Sequence, residues 1–216
     1  RVTGKPYHPF PGICLTDTFQ LNELQTFEVI GIKENSDRVE EQKRRDIRVI
    51  VGNPPYSVGQ NNANDNNQNL KYPNLDKRIE TTYVAHSAAT SSRTNYDSYI
   101  RAFRWASDRI GNKGVLCFVT NGYWLDGNSA DGFRHELEKE FSAVYVFNLR
   151  GGIRGKSGDT AKREGQNIFN IMTQVAITLL IKKPGHTGKA QIFYHDIGDY
   201  LTREEKPQPK RRRTKT

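Results

Sequence analysis

The feature that most constrains the fold is the alternation of short apolar runs with segments of helical periodicity. Strands that alternate with helices predict an α/β fold, in which helices cover both faces of a mostly parallel sheet. The last two apolar runs are separated by a turn containing proline and glycine, which predicts an antiparallel terminal hairpin. The predicted strands are 12–17, 46–52, 115–120, 143–149, 174–183 and 189–196, and the predicted helices are 36–45, 74–87, 95–110 and 129–141.

Composition argues against several classes of protein. No apolar run approaches the roughly 18–20 residues that a membrane-spanning helix needs, so we predict no membrane contact. The only two cysteines, Cys14 and Cys117, lie in separate apolar runs, which favours a reducing, cytoplasmic location over a disulfide framework. The five histidines show no ligand spacing along the chain, and we predict no metal site.

Positive charge is concentrated in two segments. The net charge is +9, and the last eleven residues, 206–216, carry six positive charges and no negative ones. We predict that this tail is disordered, as either a solvated terminus or a polyanion contact. The second segment, a Gly-rich basic loop at 149–165, is predicted to contact phosphates. The basic residues singled out in it are Arg150, Arg154, Lys156 and Arg163.

The most informative short segment is Asn-Pro-Pro-Tyr at residues 53–56, directly after the apolar run 46–52. Proline lacks the amide hydrogen that a β-ladder requires, so the strand must end at Gly52. A residue before a proline is restricted to extended geometry, which fixes Asn53 and Pro54. We therefore predict a rigid loop at the carboxyl end of a buried, central strand, where open α/β sheets bind their ligands.

Rigid, uncharged acceptors of this kind suit a planar ring that carries an amine. The Asn53 amide oxygen and the Pro54 carbonyl oxygen can accept both hydrogens of an exocyclic amine. They can also stabilise the positive charge that develops as its nitrogen attacks a methyl carbon. Tyr56 offers a face on which a flipped base can stack. The structural alternative is that the prolines end the strand and Tyr56 caps the core.

The 53–56 segment resembles the catalytic motif of amino methyltransferases that use S-adenosylmethionine, chiefly the adenine-specific DNA methyltransferases. A longer set of segments resembles the methyltransferase region of the single-chain type I (type ISP-like) restriction-modification enzymes. Those enzymes also carry nuclease, helicase-like ATPase and target-recognition parts in one polypeptide. The resembling segments are "NPPYSVGQNN", "YDSYIRAFRWASDRIG", "FVTNGYWLDGNSADGFR", "VYVFNLRG" and "DIGDYLTREEK".

This resemblance implies a Rossmann-like, S-adenosylmethionine-dependent methyltransferase fold over residues 1–205. The reaction implied is methyl transfer to the N6 amine of an adenine flipped out of double-stranded DNA. Asn53 and Pro54 would accept hydrogen bonds from the amine, Pro55 would hold their geometry, and Tyr56 would stack on the base.

The resemblance implies two further site residues. Asp17 would contact the adenine of the cofactor, and its alternative role is that of a turn or cap residue. Asn121, which follows the predicted strand 115–120, would lie at the DNA-binding edge, and its alternative role is a helix cap. The basic loop would contact DNA phosphates.

One expected feature of this family is missing. These enzymes hold the cofactor with an acidic or aromatic residue followed by Gly-x-Gly, upstream of the catalytic motif. The 52 residues before Asn53 contain only four separated glycines. We therefore expect a fragment that lacks the cofactor loop and is weakly active or inactive alone. The alternatives are methyl transfer to an RNA base or a protein glutamine, and a non-catalytic nucleic-acid-binding module that retains the fold.

Overall fold

The computed structural model describes residues 10, 12–23, 33–56 and 71–206. The strands are β1 (Val49–Gly52), β2 (Gly114–Asn121), β3 (Ala143–Arg150), β4 (Val175–Lys182) and β5 (Gln191–Asp196). The α-helices are α1 (Lys33–Arg44), α2 (Pro73–Ile79), α3 (Ser98–Arg109), α4 (Asp131–Glu140) and α5 (Gly158–Arg163). A π-helix (Glu80–Val84) extends α2, and short 3₁₀ turns occupy Phe19–Asn22, Arg93–Tyr96, Tyr123–Leu125 and Asn128–Ala130. No helix in these ranges is long and apolar enough to cross a membrane.

The five strands form one sheet in the order β1-β2-β4-β3-β5. β1 pairs with β2 in parallel, and β3 pairs with β5 in parallel, whereas β4 runs antiparallel to both β2 and β3. Four strands therefore point in one direction, which confirms the predicted α/β fold with a mostly parallel sheet. Their carboxyl ends share one edge of the sheet, together with the amino end of β4.

The predicted terminal hairpin is wrong. β4 lies between β2 and β3, so both of its hydrogen-bonding edges are occupied. β5 instead pairs with the far edge of β3, in the register Ala143↔Gln191 to Asn148↔Asp196. The segment between β4 and β5 therefore crosses an end of β3. Turn residues indicate that the chain reverses, but they do not specify which strand the next segment will pair with.

Helices cover only one face of the sheet within the described residues, so the predicted cover on both faces is not found there. α3 and α4 pack with the π-helix over Leu116, Phe118 and Leu180 to form the main core. The opposite face is covered in part by Ile168, Ile171 and Leu201, which belong to a second apolar cluster, and is open elsewhere. Its exposed apolar side chains include Val49, Val51, Tyr145 and Phe193.

β1 is an edge strand in the described part of the chain, whereas the sequence predicted a buried central strand. It pairs there with β2 alone, and Val49 and Val51 are 62% and 73% exposed. The apolar, β-branched composition of β1 is typical of a strand covered on both faces. The described residues supply that cover on one face only.

The predicted strand at 12–17 is not a strand. Its chain runs irregularly into the 3₁₀ turn Phe19–Asn22. The side chain of Asn35 satisfies Leu15, because Leu15 N donates to Asn35 Oδ1 (2.7 Å) and Asn35 Nδ2 donates to Leu15 O (2.8 Å). A side-chain amide thus replaces the neighbouring strand that the sequence pattern anticipates.

The helices are close to their predicted positions. α3 begins after Asp97, whose carboxylate accepts a hydrogen bond from Tyr99 N (3.4 Å) as an N-terminal cap. Proline opens α2 at its first position, where a missing amide hydrogen costs nothing. Glu23 closes the same helix end by accepting from Asn74 N and Leu75 N.

Lys206, with which the predicted basic tail begins, is buried. Its Nζ donates to the carbonyl oxygens of Leu149 (2.8 Å) and Glu164 (3.2 Å). Burial lowers the pKa of this lysine. Lys206 therefore belongs to the folded domain, and the rest of the predicted tail, 207–216, lies outside the described residues.

Candidate active site

Most of the residues singled out from the sequence meet at the carboxyl edge of the sheet. Asn53 follows β1, Asn121 ends β2 and Arg150 ends β3. Asn53 and Asn121 belong to neighbouring strands. Three strand spacings separate β1 from β3, which places Arg150 about 14 Å from the end of β1 across the sheet. The predicted amine-binding segment and the predicted basic loop therefore share one edge.

The 53–56 segment folds back on itself through a side-chain hydrogen bond. The Tyr56 hydroxyl donates to Asn53 Oδ1 over 2.9 Å and lies 3.4 Å from the Val119 carbonyl oxygen on β2. Asn53 is exposed, whereas the Tyr56 ring is half-buried against the main core. Burial raises the pKa of Tyr56, so its hydroxyl remains a donor at neutral pH.

Gly52 allows a close approach between strands. A Cβ at this position would lie 3.2 Å from Cε1 of Phe118, the residue opposite it on β2. The absence of a side chain therefore lets the end of β1 settle against an aromatic ring of the core. This contact fixes where the 53–56 segment leaves the sheet.

Asn121 caps the turn that follows β2. Its Oδ1 accepts a hydrogen bond from Tyr123 N (2.8 Å), and the next residue, Gly122, donates its N–H to Gln174 O (2.8 Å). This is the capping role considered as an alternative to DNA contact. The turn leaves the Tyr123 side chain 44% exposed at the end of β2, the strand that pairs with β1.

Asp17 is held by internal contacts. Its Oδ1 accepts from Phe19 N (3.0 Å) and its Oδ2 accepts from the Tyr72 hydroxyl (2.8 Å). Burial and this hydrogen bond raise the pKa of Tyr72. Asp17 thus ties the 3₁₀ turn to the start of α2, as its alternative role predicts. It makes no contact with residues 53–56 in the described part of the chain.

The basic loop is stabilised by ion pairs of its own. Arg150 bridges Asp196 and Asp199, with both nitrogen–oxygen distances at 2.6 Å. Arg163 pairs with the same Asp199 (2.9 Å). Arg150 has a positive φ of 54° at the end of β3, next to a register shift in the pairing with β4.

The other two basic residues of this loop differ from each other. Lys156 pairs with Glu164 at 2.6 Å. Arg154 is exposed and forms no ion pair with any described residue. Of the four cations singled out from the sequence, Arg154 has the side chain most available to an external phosphate.

Asn148, on β3, is a buried residue at the centre of a hydrogen-bond network, and the sequence analysis did not single it out. Its Nδ2 donates to the Tyr194 hydroxyl (3.0 Å) and Asp196 Oδ2 (3.1 Å). Its Oδ1 accepts from Arg150 N (2.9 Å) and Gln174 Nε2 (3.0 Å). The side chain therefore joins β3, β5 and the start of β4 at the site edge. An asparagine inside an apolar strand was the one available sequence signal.

A cavity of about 300 Å³ lies beside this network. Its walls come from the turn after β2, from α4, and from β3 and β5, and they include Trp124, Arg134, Asn148 and Tyr194. Arg134 Nη1 donates to the carbonyl oxygens of Trp124 (2.7 Å) and Gly127 (2.9 Å), which holds that turn in place. The cavity is thus framed by hydrogen bonds as well as by apolar packing.

Phe169 is an exposed aromatic residue near this edge that the sequence analysis did not single out. Asn167 shapes the segment before β4: its Nδ2 donates to Gly151 O (3.1 Å) and Thr173 O (2.7 Å), and its Oδ1 accepts from Phe169 N (2.8 Å). The resulting bend leaves Phe169 47% exposed. Phe169 and Tyr123 therefore lie on segments that flank the start of β4.

A mixed sheet with four like-directed strands, and a proline-stiffened polar segment at the carboxyl end of one of them, is typical of a Rossmann-like α/β fold with a ligand site at this edge. The chain belongs to the Eco57I restriction-modification methylase family, which matches residues 16–152, more than half of its length.

Three solved structures share this fold. The ATP-dependent Type ISP restriction-modification enzyme LlaBIII bound to DNA matches with a TM-score of 0.87 and 46% identity, over 94% of this chain and 13% of LlaBIII. A nuclease-deletion mutant of the Type ISP enzyme LlaGI, in complex with a DNA substrate mimic, matches with a TM-score of 0.85 and 46% identity. The match covers 94% of this chain and 17% of the LlaGI chain. The DrdV–DNA complex matches with a TM-score of 0.83 and 38% identity, over 93% of this chain and 20% of the DrdV chain. The chain spans at most a fifth of these three solved chains. No curated protein matches it.

Proposed function

We propose that this chain is the amine-binding half of an adenine-specific DNA methyltransferase within a larger restriction-modification polypeptide. The observation that carries the proposal is the exposed Asn53 at the carboxyl end of β1, with its amide oxygen bonded to Tyr56. Membership of a restriction-modification methylase family, and the DNA in the three related structures, support DNA as the substrate. An enzyme with this substrate would act in the cytoplasm.

The geometry supports a specific division of labour. An amide oxygen has two lone pairs, and the Tyr56 hydroxyl uses one of those on Asn53 Oδ1. The other is available to one hydrogen of the target amine, and the Pro54 carbonyl oxygen can accept the second. Both acceptors are held rigidly by Pro54 and Pro55, so no reorganisation is needed as positive charge develops on the nitrogen.

The described residues do not complete a site for S-adenosylmethionine, the methyl donor that this proposal requires. The glycines described before Asn53 are Gly12 and Gly52, which are too far apart to form a glycine-rich turn. The contacts of Asp17 are internal. We propose that other parts of the larger polypeptide supply the cofactor half, and that they cover the open edge of β1 and the open sheet face.

The test is transfer of labelled methyl from S-adenosylmethionine to unmethylated plasmid DNA by the full-length polypeptide that contains this chain. We expect label at adenine N6, reduced at least about 100-fold by Asn53→Ala, the cost typical of losing one preorganised polar group. DNA binding should remain. Asn128→Ala, an exposed asparagine in a surface turn, is the matched control. Full activity in Asn53→Ala would falsify the assignment of Asn53 as the amine acceptor. Label on RNA or protein would show that the substrate is not DNA.

A further inference from the structure

Two histidines and a buried glutamate, distant in sequence, come together beside α4. His86 follows the π-helix, and His135 and Glu136 lie on α4. One nitrogen from each imidazole and one carboxylate oxygen all lie within 4.8 Å of one another. His86 Nδ1 is 2.7 Å from Glu136 Oε1, and the two imidazole centroids are 5.0 Å apart. In the described part of the chain, no other three such side chains converge in this way.

Contrary to the prediction of no metal site from histidine spacing, we propose that these three residues bind a divalent transition metal ion of the zinc type. Two imidazole nitrogens and one carboxylate oxygen form a ligand set that suits zinc and its neighbours, whereas magnesium and calcium prefer oxygen ligands alone. Three protein ligands leave a fourth tetrahedral position for water. The proposal is independent of the methyl-transfer site.

Burial favours a cation at this position. The Glu136 side chain is only 3% exposed, whereas both histidines are exposed to solvent. A buried carboxylate needs a compensating partner, and in this structure its Oε1 lies 2.7 Å from His86 Nδ1 and 3.2 Å from Nζ of the exposed Lys139. A metal ion would take the place of Lys139, which is free to swing into water.

The scaffold around the three side chains is rigid. α4 packs against the π-helix so closely that a Cβ on Gly132 would lie 1.9 Å from Tyr83 O. The carboxylate of Asp131 accepts hydrogen bonds from Ser87 Oγ and from Ala88 N (2.8 Å). Because Ser87 and Ala88 directly follow His86, these two hydrogen bonds fix the position of His86 relative to α4.

Small side-chain rotations would complete the geometry. Zn–N and Zn–O distances of about 2.0–2.1 Å place tetrahedral ligand atoms about 3.3 Å apart. The present separations range from 2.7 Å to 4.8 Å. The exposed imidazoles can rotate by this amount without moving the buried carboxylate. The bound ion would fasten α4 to the turn after the π-helix.

The test is a calorimetric titration of the full-length polypeptide with Zn²⁺, before and after His135→Ala. His135 is exposed, and among the described residues its one ring contact is with His86, so its removal should leave the fold intact. The matched control is His195→Ala, another exposed histidine, which stacks on Phe147. We expect one Zn²⁺ fewer per chain, or affinity weakened at least about tenfold, in His135→Ala alone. Zn²⁺ should raise the unfolding temperature of the unmodified protein more than that of the variant.

Two outcomes would overturn the site. Equal stoichiometry and affinity in the unmodified protein and His135→Ala would remove His135 from any metal site. An equal loss in His195→Ala would mean that the ion binds exposed imidazoles without regard to this cluster. Co²⁺ provides a second readout, because tetrahedral coordination would produce visible absorption that disappears in His135→Ala and also in His86→Ala.

Discussion

The Tyr56 hydroxyl donates a hydrogen bond to Asn53 Oδ1 over 2.9 Å, three residues back along the chain. The two side chains were predicted to serve separately, one as acceptor and the other as stacking face. The structure joins them, so under the proposed function Tyr56 would position the Asn53 amide as well as contact a base.

These two roles of Tyr56 are separable by substitution. Tyr56→Phe keeps the ring and removes the hydroxyl, and we expect methyl transfer to slow by roughly 2- to 10-fold, the effect of one lost hydrogen bond. Tyr56→Ala also removes the ring and should cost a further 1–3 kcal/mol or so in DNA-dependent activity. Single-turnover methylation rates measure both. Tyr123→Phe, at an exposed tyrosine, is the control. Equal rates for Tyr56→Phe and Tyr56→Ala would remove the stacking role.

Substitution of Arg154 should weaken DNA binding, whereas substitution of Arg150 should reduce the stability of the basic loop. Arg154→Gln removes an exposed cation with no described ion pair, so we expect the slope of log affinity against log salt to fall by about 0.9 without loss of stability. Arg150→Gln removes the partner of Asp196 and Asp199 and should cost about 1–2 kcal/mol, between the values for exposed and buried pairs.

The measurements for these arginine variants are a salt series of DNA affinity and a denaturant melt. An unchanged salt slope in Arg154→Gln would show that the Arg154 side chain is solvated and does not contact a DNA phosphate. An unchanged melt in Arg150→Gln would show that its two ion pairs do not stabilise the loop.

Glu140 should make stability depend on pH in the acid range. Burial by itself would raise its pKa, but hydrogen bonds and charge from Arg104, with Ser107 and Lys182, lower it from 4.5 to about 2. A pKa that is lower in the folded state stabilises the protein above pH 4.5, and this stability is lost as the pH falls towards 2. The amount is on the order of 3 kcal/mol.

Denaturant melts between pH 6 or so and pH 2 would measure this contribution. Glu140→Gln should flatten the decline, because the titrating group is gone. Glu138→Gln, whose carboxylate pairs with the exposed Lys189, is the matched control and should retain it. The same acid decline in all three proteins would show that other carboxylates cause it.

Gly132→Ala should destabilise the helical layer. The added Cβ would lie 1.9 Å from Tyr83 O and 2.8 Å from Ser87 N, which are backbone atoms and cannot rotate away. Relief requires a shift of α4 away from the π-helix, so we expect a loss of about 1–3 kcal/mol in a denaturant melt. Alanine normally favours a helix over glycine, so a stabilised variant would contradict the close approach described here.

Local sequence was sufficient where neighbouring residues along the chain dictate the conformation. The two prolines end β1 at Gly52 because they cannot donate to a ladder, and Asp97 starts α3 because its side chain caps the first turn. Periodicity located β2, β3, β4 and β5 and the main helices for the same reason. Resemblance of short segments to a restriction-modification methyltransferase region also identified the family that the comparisons confirm.

Only the tertiary structure decided which elements and side chains are partners. β5 pairs with β3 although a turn precedes it, and Asn35 replaces a strand beside Leu15. Arg150, which the sequence predicts to contact DNA, forms an ion pair with Asp196, and His86 lies beside Glu136, fifty residues further along the chain. Such pairings depend on the free energy of contacts between distant segments, and a pattern read along the chain carries no information about that energy.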